Sequence, residues 1–112
     1  MDKEKYQGWT NHATWAYSLW LNNTEGDYNY WREQAKESKT AIELADRMKE
    51  SLQDLWNDLI ENPENTTKEG RLMLNDIGDI DDVDYLEVAR EFWNEAHPKK
   101  SKRTEQVSGY KR

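Results

Sequence analysis

With 112 residues and a net charge of −7, the chain has the length of one domain, and a domain of this size buries about two-thirds of its unfolded surface. The absence of cysteine excludes a disulfide framework, a thiolate metal site and a cysteine nucleophile. Leu, Ile, Val and Phe together number only 17, below the roughly 20% at which disorder is suspected, but six Trp, six Tyr and three Met supply apolar surface in their place. The charge is unevenly divided: from His97 onward six Lys and Arg face only Glu105, which leaves −12 on the first 96 residues. Such an acidic body repels nucleic acid and membrane surfaces and attracts basic protein patches.

Met1 to Gln7 is a polar lead-in without an apolar stretch, and no run approaches the roughly 20 apolar residues of a membrane span, so a cytoplasmic location is expected. Thr10 or Asn11 is a good N-cap for a first helix running to about Leu21. On it Ala13, Ala16, Tyr17, Trp20 and Leu21 share one broad face, with Trp15 and Leu19 covering much of the rest. A helix apolar nearly all round is central or meets two partners. The turn Asn22 to Gly26 follows, and Thr24 with Asp27 resembles a capping box. A second helix, about Glu25 to Lys36, stripes Tyr28, Trp31 and Ala35 on one side, which suggests a Trp-rich helical hairpin.

The third helix, about Thr40 to Asn62, has the clearest periodicity. Ala41, Ala45, Met48, Leu52, Leu55 and Leu59 recur at alternating spacings of four and three, with Ile42, Trp56 and Ile60 widening the apolar face. Pro63 stops it. Thr66 with Glu69 predicts a cap for a short fourth helix carrying Leu72, Met73 and Ile77, ended by Gly78. After a loop with capping Asp81 and Asp82, a fifth helix to about Ala96 buries Leu86, Ala89, Phe92, Trp93 and Ala96. The expected fold is thus all-α: a compact bundle of four to five helices over residues 1–97, followed by a disordered basic tail over 98–112.

Chemistry-bearing constellations are sparse. Asp76, Asp79, Asp81, Asp82 and Asp84 lack the order of an EF-hand loop and read as helix caps, so no metal is expected. The two histidines, His12 and His97, have no nucleophile or orienting carboxylate at a meaningful spacing, and no glycine-rich phosphate loop exists; neither an enzyme nor a cofactor is expected. Two acidic rows stand out: Glu43, Glu50, Asp54, Asp58 and Glu61 on the third helix, and Glu87, Glu91 and Glu95 on the fifth. Neighbours in such a row lie about 6 Å apart, so a mimic of duplex phosphates is one reading and a solvated face the other. One hairpin is too small to bury all its rings, so an exposed one, Tyr17 or Tyr30, is a candidate for a partner site. In the tail, Lys99, Lys100, Lys102 and Arg103 are candidates for phosphate contacts.

The run Gly8-Trp9-Thr10-Asn11-His12-Ala13-Thr14-Trp15, with Leu19-Trp20-Leu21-Asn22-Asn23 and Tyr28-x-Tyr30-Trp31-Arg32-Glu33 after it, resembles a family of short proteins of phages, plasmids and archaeal or bacterial mobile elements that open with G-W-T-N-x-x-T-W. Val83-Asp84-Tyr85-Leu86-Glu87-Val88-Ala89 resembles that family's closing helix, V-[ND]-W-x-E-I-A, with Tyr85 in the Trp place. His12 stands where an aromatic Tyr is expected. The resemblance implies an all-helical fold in a mobile-element setting and carries no activity. Together with the acidic faces it leads to the expectation of a non-enzymatic protein-binding module, an inhibitor of a host nucleic-acid-handling or defence protein. An accessory nucleic-acid binder acting through the basic tail is the alternative expectation.

Overall fold

A computed structural model describes residues 7–98. Five helices follow one another: α1 (His12–Asn23), α2 (Glu25–Glu37), α3 (Ala41–Glu61), α4 (Lys68–Ile77) and α5 (Tyr85–Ala96). Short 3-10 turns at Pro63–Asn65 and Ile80–Asp82 lead into the last two, and the described residues contain no strand. The expected basic tail lies outside the described residues, apart from Pro98.

Each helix begins and ends for a local reason. Asn11 is extended, and its side-chain oxygen accepts from the Thr14 backbone N–H at 2.9 Å, which satisfies one of the orphan donors of α1. Thr40 does the same for α3 by accepting from the Glu43 N–H, while Glu43 reaches back to the Lys39 N–H at 2.8 Å. Asn62 ends α3, and Pro63 cannot continue it. Gly78 closes α4 with a φ of 86°, and a Cβ there would meet nothing within 4 Å, so the need for glycine is conformational and not steric.

Three caps differ from their sequence signatures. The side chain of Thr24 makes no capping bond. The cap of α4 is Thr67, which accepts from the Gly70 N–H, whereas Thr66 is buried and donates its hydroxyl to the Asn62 carbonyl. The fifth helix is capped by Asp84, two residues beyond the expected Asp82, and Asp79 caps the preceding 3-10 turn. For α4 and α5 a neighbouring residue of the same capping type holds the geometry, a shift that sequence spacing does not resolve.

The core gathers around α5, whose Val88, Ala89 and Phe92 are buried. Its most extensive packing is against α3, which buries Leu44, Ala45, Met48 and Leu52; α2 lies along it as well, and α1 packs on both α2 and α4. Ile42, Trp56 and Ile60 do not widen the buried face of α3: they remain exposed, Ile42 and Ile60 at more than 60%, because only one side of this long helix is covered. Leu72 is exposed in the same way on α4, where Leu74 is buried instead. Close approach of α4 to α3 is permitted by Gly70, where a Cβ would stand 3.2 Å from the Leu55 side chain.

Aromatic rings replace aliphatic side chains in the N-terminal half. Tyr17 and Trp31 are buried, and Trp9, Trp15 and Tyr28 pack half-buried against the core. Rings also join elements by their polar ends: Trp93 Nε1–H donates to the Ser38 carbonyl, Tyr28 Oη–H to Glu95, and His97 Nε2–H to the Ala35 carbonyl at 2.8 Å. His12 uses its place in the opening run to donate Nε2–H to the Asp76 carbonyl at 2.9 Å, beside the Trp20 Nε1–H bond to the Asp76 carboxylate.

The start of α1 is clasped to the start of α5. The Thr10 N–H donates to Glu87 Oε1 at 3.1 Å, and Asn11 Nδ2 donates to the Asp82 carbonyl at 2.8 Å. The hydroxyl of Thr14 is fully buried; it donates to Asn11 Oδ1 at 2.7 Å and accepts from the Asp84 N–H at 2.8 Å. One helical turn further on, the Tyr17 ring meets Tyr85 edge-on at 5.8 Å. The residues that carry the resemblance therefore bind one another across the fold. Replacing Thr14 by Val keeps the shape and strands the Asp84 N–H, so T14V is expected to cost about 2 kcal/mol. A thermal scan would show this as a fall in Tm of roughly 10 °C for a domain of this size.

Candidate acidic groove

A cavity of about 510 Å³ lies where α1, α2, α3 and α4 converge. Asp27 enters it from the first turn of α2, Asp54 and Asp58 from successive turns of α3, and Glu69 from the first turn of α4. Trp20 and Trp31 form aromatic walls, and Tyr17 lies among the lining residues. A second hollow of about 400 Å³, bounded by Tyr30, Gln34, Arg47 and Glu50, shares Trp31, Ser51 and Asp54 with the first, so the two make one groove along α2 and α3.

Electrostatically the deep part is one-sided. Four carboxylates line it and no Lys, Arg or His does. Among the described residues none of Asp27, Asp54, Asp58 and Glu69 has a side-chain hydrogen bond or ion pair; the ion pairs present are Lys36–Glu33 and Arg47–Glu43. Burial lifts the Asp27 carboxyl above its ordinary value. Arg47, the cation at the shallow end, is already held by Gln34 at 2.7 Å and Glu43 at 3.0 Å.

The candidate residues divide among different roles. Glu50, Asp54, Asp58 and Tyr30 come together on the groove, and Tyr30, 55% exposed, stands edge-on to Trp31. Tyr17 is not the exposed ring expected: it is 2% exposed, because its position on α1 faces Tyr85 and the core. Glu43 belongs to the start of α3, where the Lys39 N–H and then Arg47 hold its carboxyl below the usual range. Glu61 lines neither part of the groove. On α5, Glu87 is bonded to Thr10 and Glu95 to Tyr28, leaving Glu91 beside Trp9 in a small cleft of about 100 Å³. Two of the three acids in that row thus brace the fold. Lys99, Lys100, Lys102 and Arg103 lie outside the described residues.

Asp27 and Glu69 carry helix-cap signatures in the sequence and are not among the site residues expected from it. Their signal was present in one case, since Asp27 stands one turn before Trp31 and so on the same face of α2. Among the described residues no group of acids and histidines is placed to hold a metal ion, and no helix is long and apolar enough to cross a membrane.

These features define a small all-helical protein with an unpaired acidic groove walled by tryptophan. The chain belongs to the family of unknown function DUF7249, whose profile matches residues 2–97. No curated protein and no solved structure matches it.

The Tyr17 hydroxyl has no hydrogen-bond partner among the described residues, although the ring is buried. Burial, then the nearby Tyr85 and Asp27, push its pKa far above that of a free phenol, so it stays protonated. An unpaired buried hydroxyl destabilises a fold by about 1–3 kcal/mol. Y17F, which keeps the ring and its contact with Tyr85, is therefore expected to stabilise the free chain by about 1 kcal/mol in urea unfolding. A comparable loss of stability would show that the hydroxyl is bonded.

Proposed function

We propose that this chain is a non-catalytic protein-binding module whose acidic groove receives a basic segment of a partner polypeptide. The observation that carries this reading is the set of four carboxylates facing one cavity without a counter-charge. Like charges held together at a surface cost folding free energy, and a bound cation relieves that cost. The walls suit the same ligand: tryptophan is the best aromatic partner for a cation, and Tyr30 beside Trp31 supplies the kind of ring enriched at binding hot spots.

Basic surface is what nucleic-acid-handling proteins present to phosphate. An acidic groove competes for that surface, and inhibition of such a host protein, in nucleic-acid handling or in defence, is the role we assign to it. Electrostatic complementarity of this kind chiefly raises the association rate and sets specificity, so binding should weaken steeply with salt.

The test is fluorescence anisotropy with a labelled peptide of Arg-Gly-Ser repeats. Reversing Glu50, Asp54 and Asp58 together to Lys should lower affinity at least about tenfold. Reversing Glu37, Glu61 and Glu64, which lie outside the groove, gives the same net charge and should leave most of the binding intact. Equal losses in both triple variants, or no binding by the unaltered chain, would refute the groove as the binding surface.

A further inference from the structure

The deep end of the groove is more specific than an acidic surface. Tyr17 is 2% exposed, lines the cavity and carries a hydroxyl without a partner. Trp31 is 4% exposed, lines both parts of the groove, and its indole N–H likewise has no acceptor among the described residues. Buried polar groups are almost always hydrogen-bonded, and each exception needs a reason. Here two exceptions border one cavity, together with the unpaired Asp27 carboxylate.

We propose that this end of the groove is a pocket for one arginine side chain of the partner, with Asp27 and Tyr17 accepting from the guanidinium and Trp31 donating to a carbonyl of the peptide that carries it. The inference rests on the groove being the partner-binding surface. A guanidinium presents five N–H donors in a plane and accepts nothing, which matches a carboxylate and a phenol oxygen better than any neutral side chain does. It also stacks on aromatic faces, and Trp20 and Trp31 supply them. A free small cation would satisfy Asp27 and Tyr17 but leave the Trp31 N–H unpaired; a peptide carbonyl completes the set. A guanidinium beside the Asp27 carboxyl, which partial burial lifts in the free chain, favours its ionised form, and the bond between the two charged groups is stronger than one between neutral groups.

The experiment measures the Arg-Gly-Ser peptide, and the same peptide with citrulline in place of each arginine, against the full chain and its Y17F and D27N variants. Citrulline keeps the shape of arginine and removes its charge. Y17F and D27N should each weaken the arginine peptide about tenfold, with circular dichroism unchanged, and D27N should also narrow the difference between the two peptides. If both variants bind like the unaltered chain while the Glu50, Asp54 and Asp58 reversal abolishes binding, the pocket is refuted and the groove stands. If the unaltered chain binds neither peptide, both are refuted. The chain carries arginine and lysine of its own beyond Pro98, so a further arm neutralises Lys99, Lys100, Lys102 and Arg103 to Gln in the full chain. Unchanged affinity is expected; a gain would show that these residues compete for the pocket and would overturn its assignment to a partner.

Discussion

The hydrogen bonds of Thr14 join two places 70 residues apart in the chain, and the rest of the fold is arranged around that junction. The buried Thr14 hydroxyl both donates and accepts: it caps nothing by itself, but it fixes Asn11 as the cap of α1 and holds the N–H of Asp84, the cap of α5. Two helix N-termini are thereby locked together at their first residues. Asn11 adds the Asp82 carbonyl and Thr10 adds Glu87, so the junction is closed on three sides. Because both helices start from one point, Tyr17 falls opposite Tyr85 a turn later, and α5 is left free to pack α2 and α3 along its remaining faces.

That arrangement leaves the other end of α1 facing a gap. Trp20 and Leu21, beyond the clasp, line the cavity with α2 and α4, and α3 closes it with Asp54 and Asp58 beside Leu52 and Leu55. The groove is therefore a consequence of how the bundle is pinned. Its chemistry is not required by the fold. The like charges of Asp54 and Asp58 one turn apart on α3, and the two buried polar groups without partners, oppose stability. Local features that weaken a fold without a structural return concentrate at sites that bind something. The clasp, whose polar groups bond to one another, has the opposite character.

Much of the fold was legible in the sequence. The helix ends at Asn11, Pro63 and Gly78 follow from the cap chemistry of those residues, and the four-three spacing of α3 follows from the helical repeat. The widening of that apolar face by Ile42, Trp56 and Ile60 was misleading because periodicity reports which side of a helix is apolar, not how much of it a neighbour will cover. Half of the site was legible too: Asp54, Asp58 and Glu50 share a face of α3, and Tyr30 stands exposed. Tyr17 was not, since an aromatic ring on a helix apolar nearly all round carries no mark of which side turns inward. Asp27 and Glu69 looked like caps because first-turn acids serve helix dipoles in most proteins, and only the convergence of three helices brings them together.

Backbone amide chemical-shift mapping of the isotopically labelled chain with the arginine peptide most directly tests the separation of the structural clasp from the proposed binding groove. Perturbations are predicted at Asp27, Trp31, Glu50, Asp54, Asp58 and Gly70, with Thr10, Asn11, Thr14, Asp84 and Glu87 unmoved. Shifts confined to the clasp residues, with the groove silent, would contradict it.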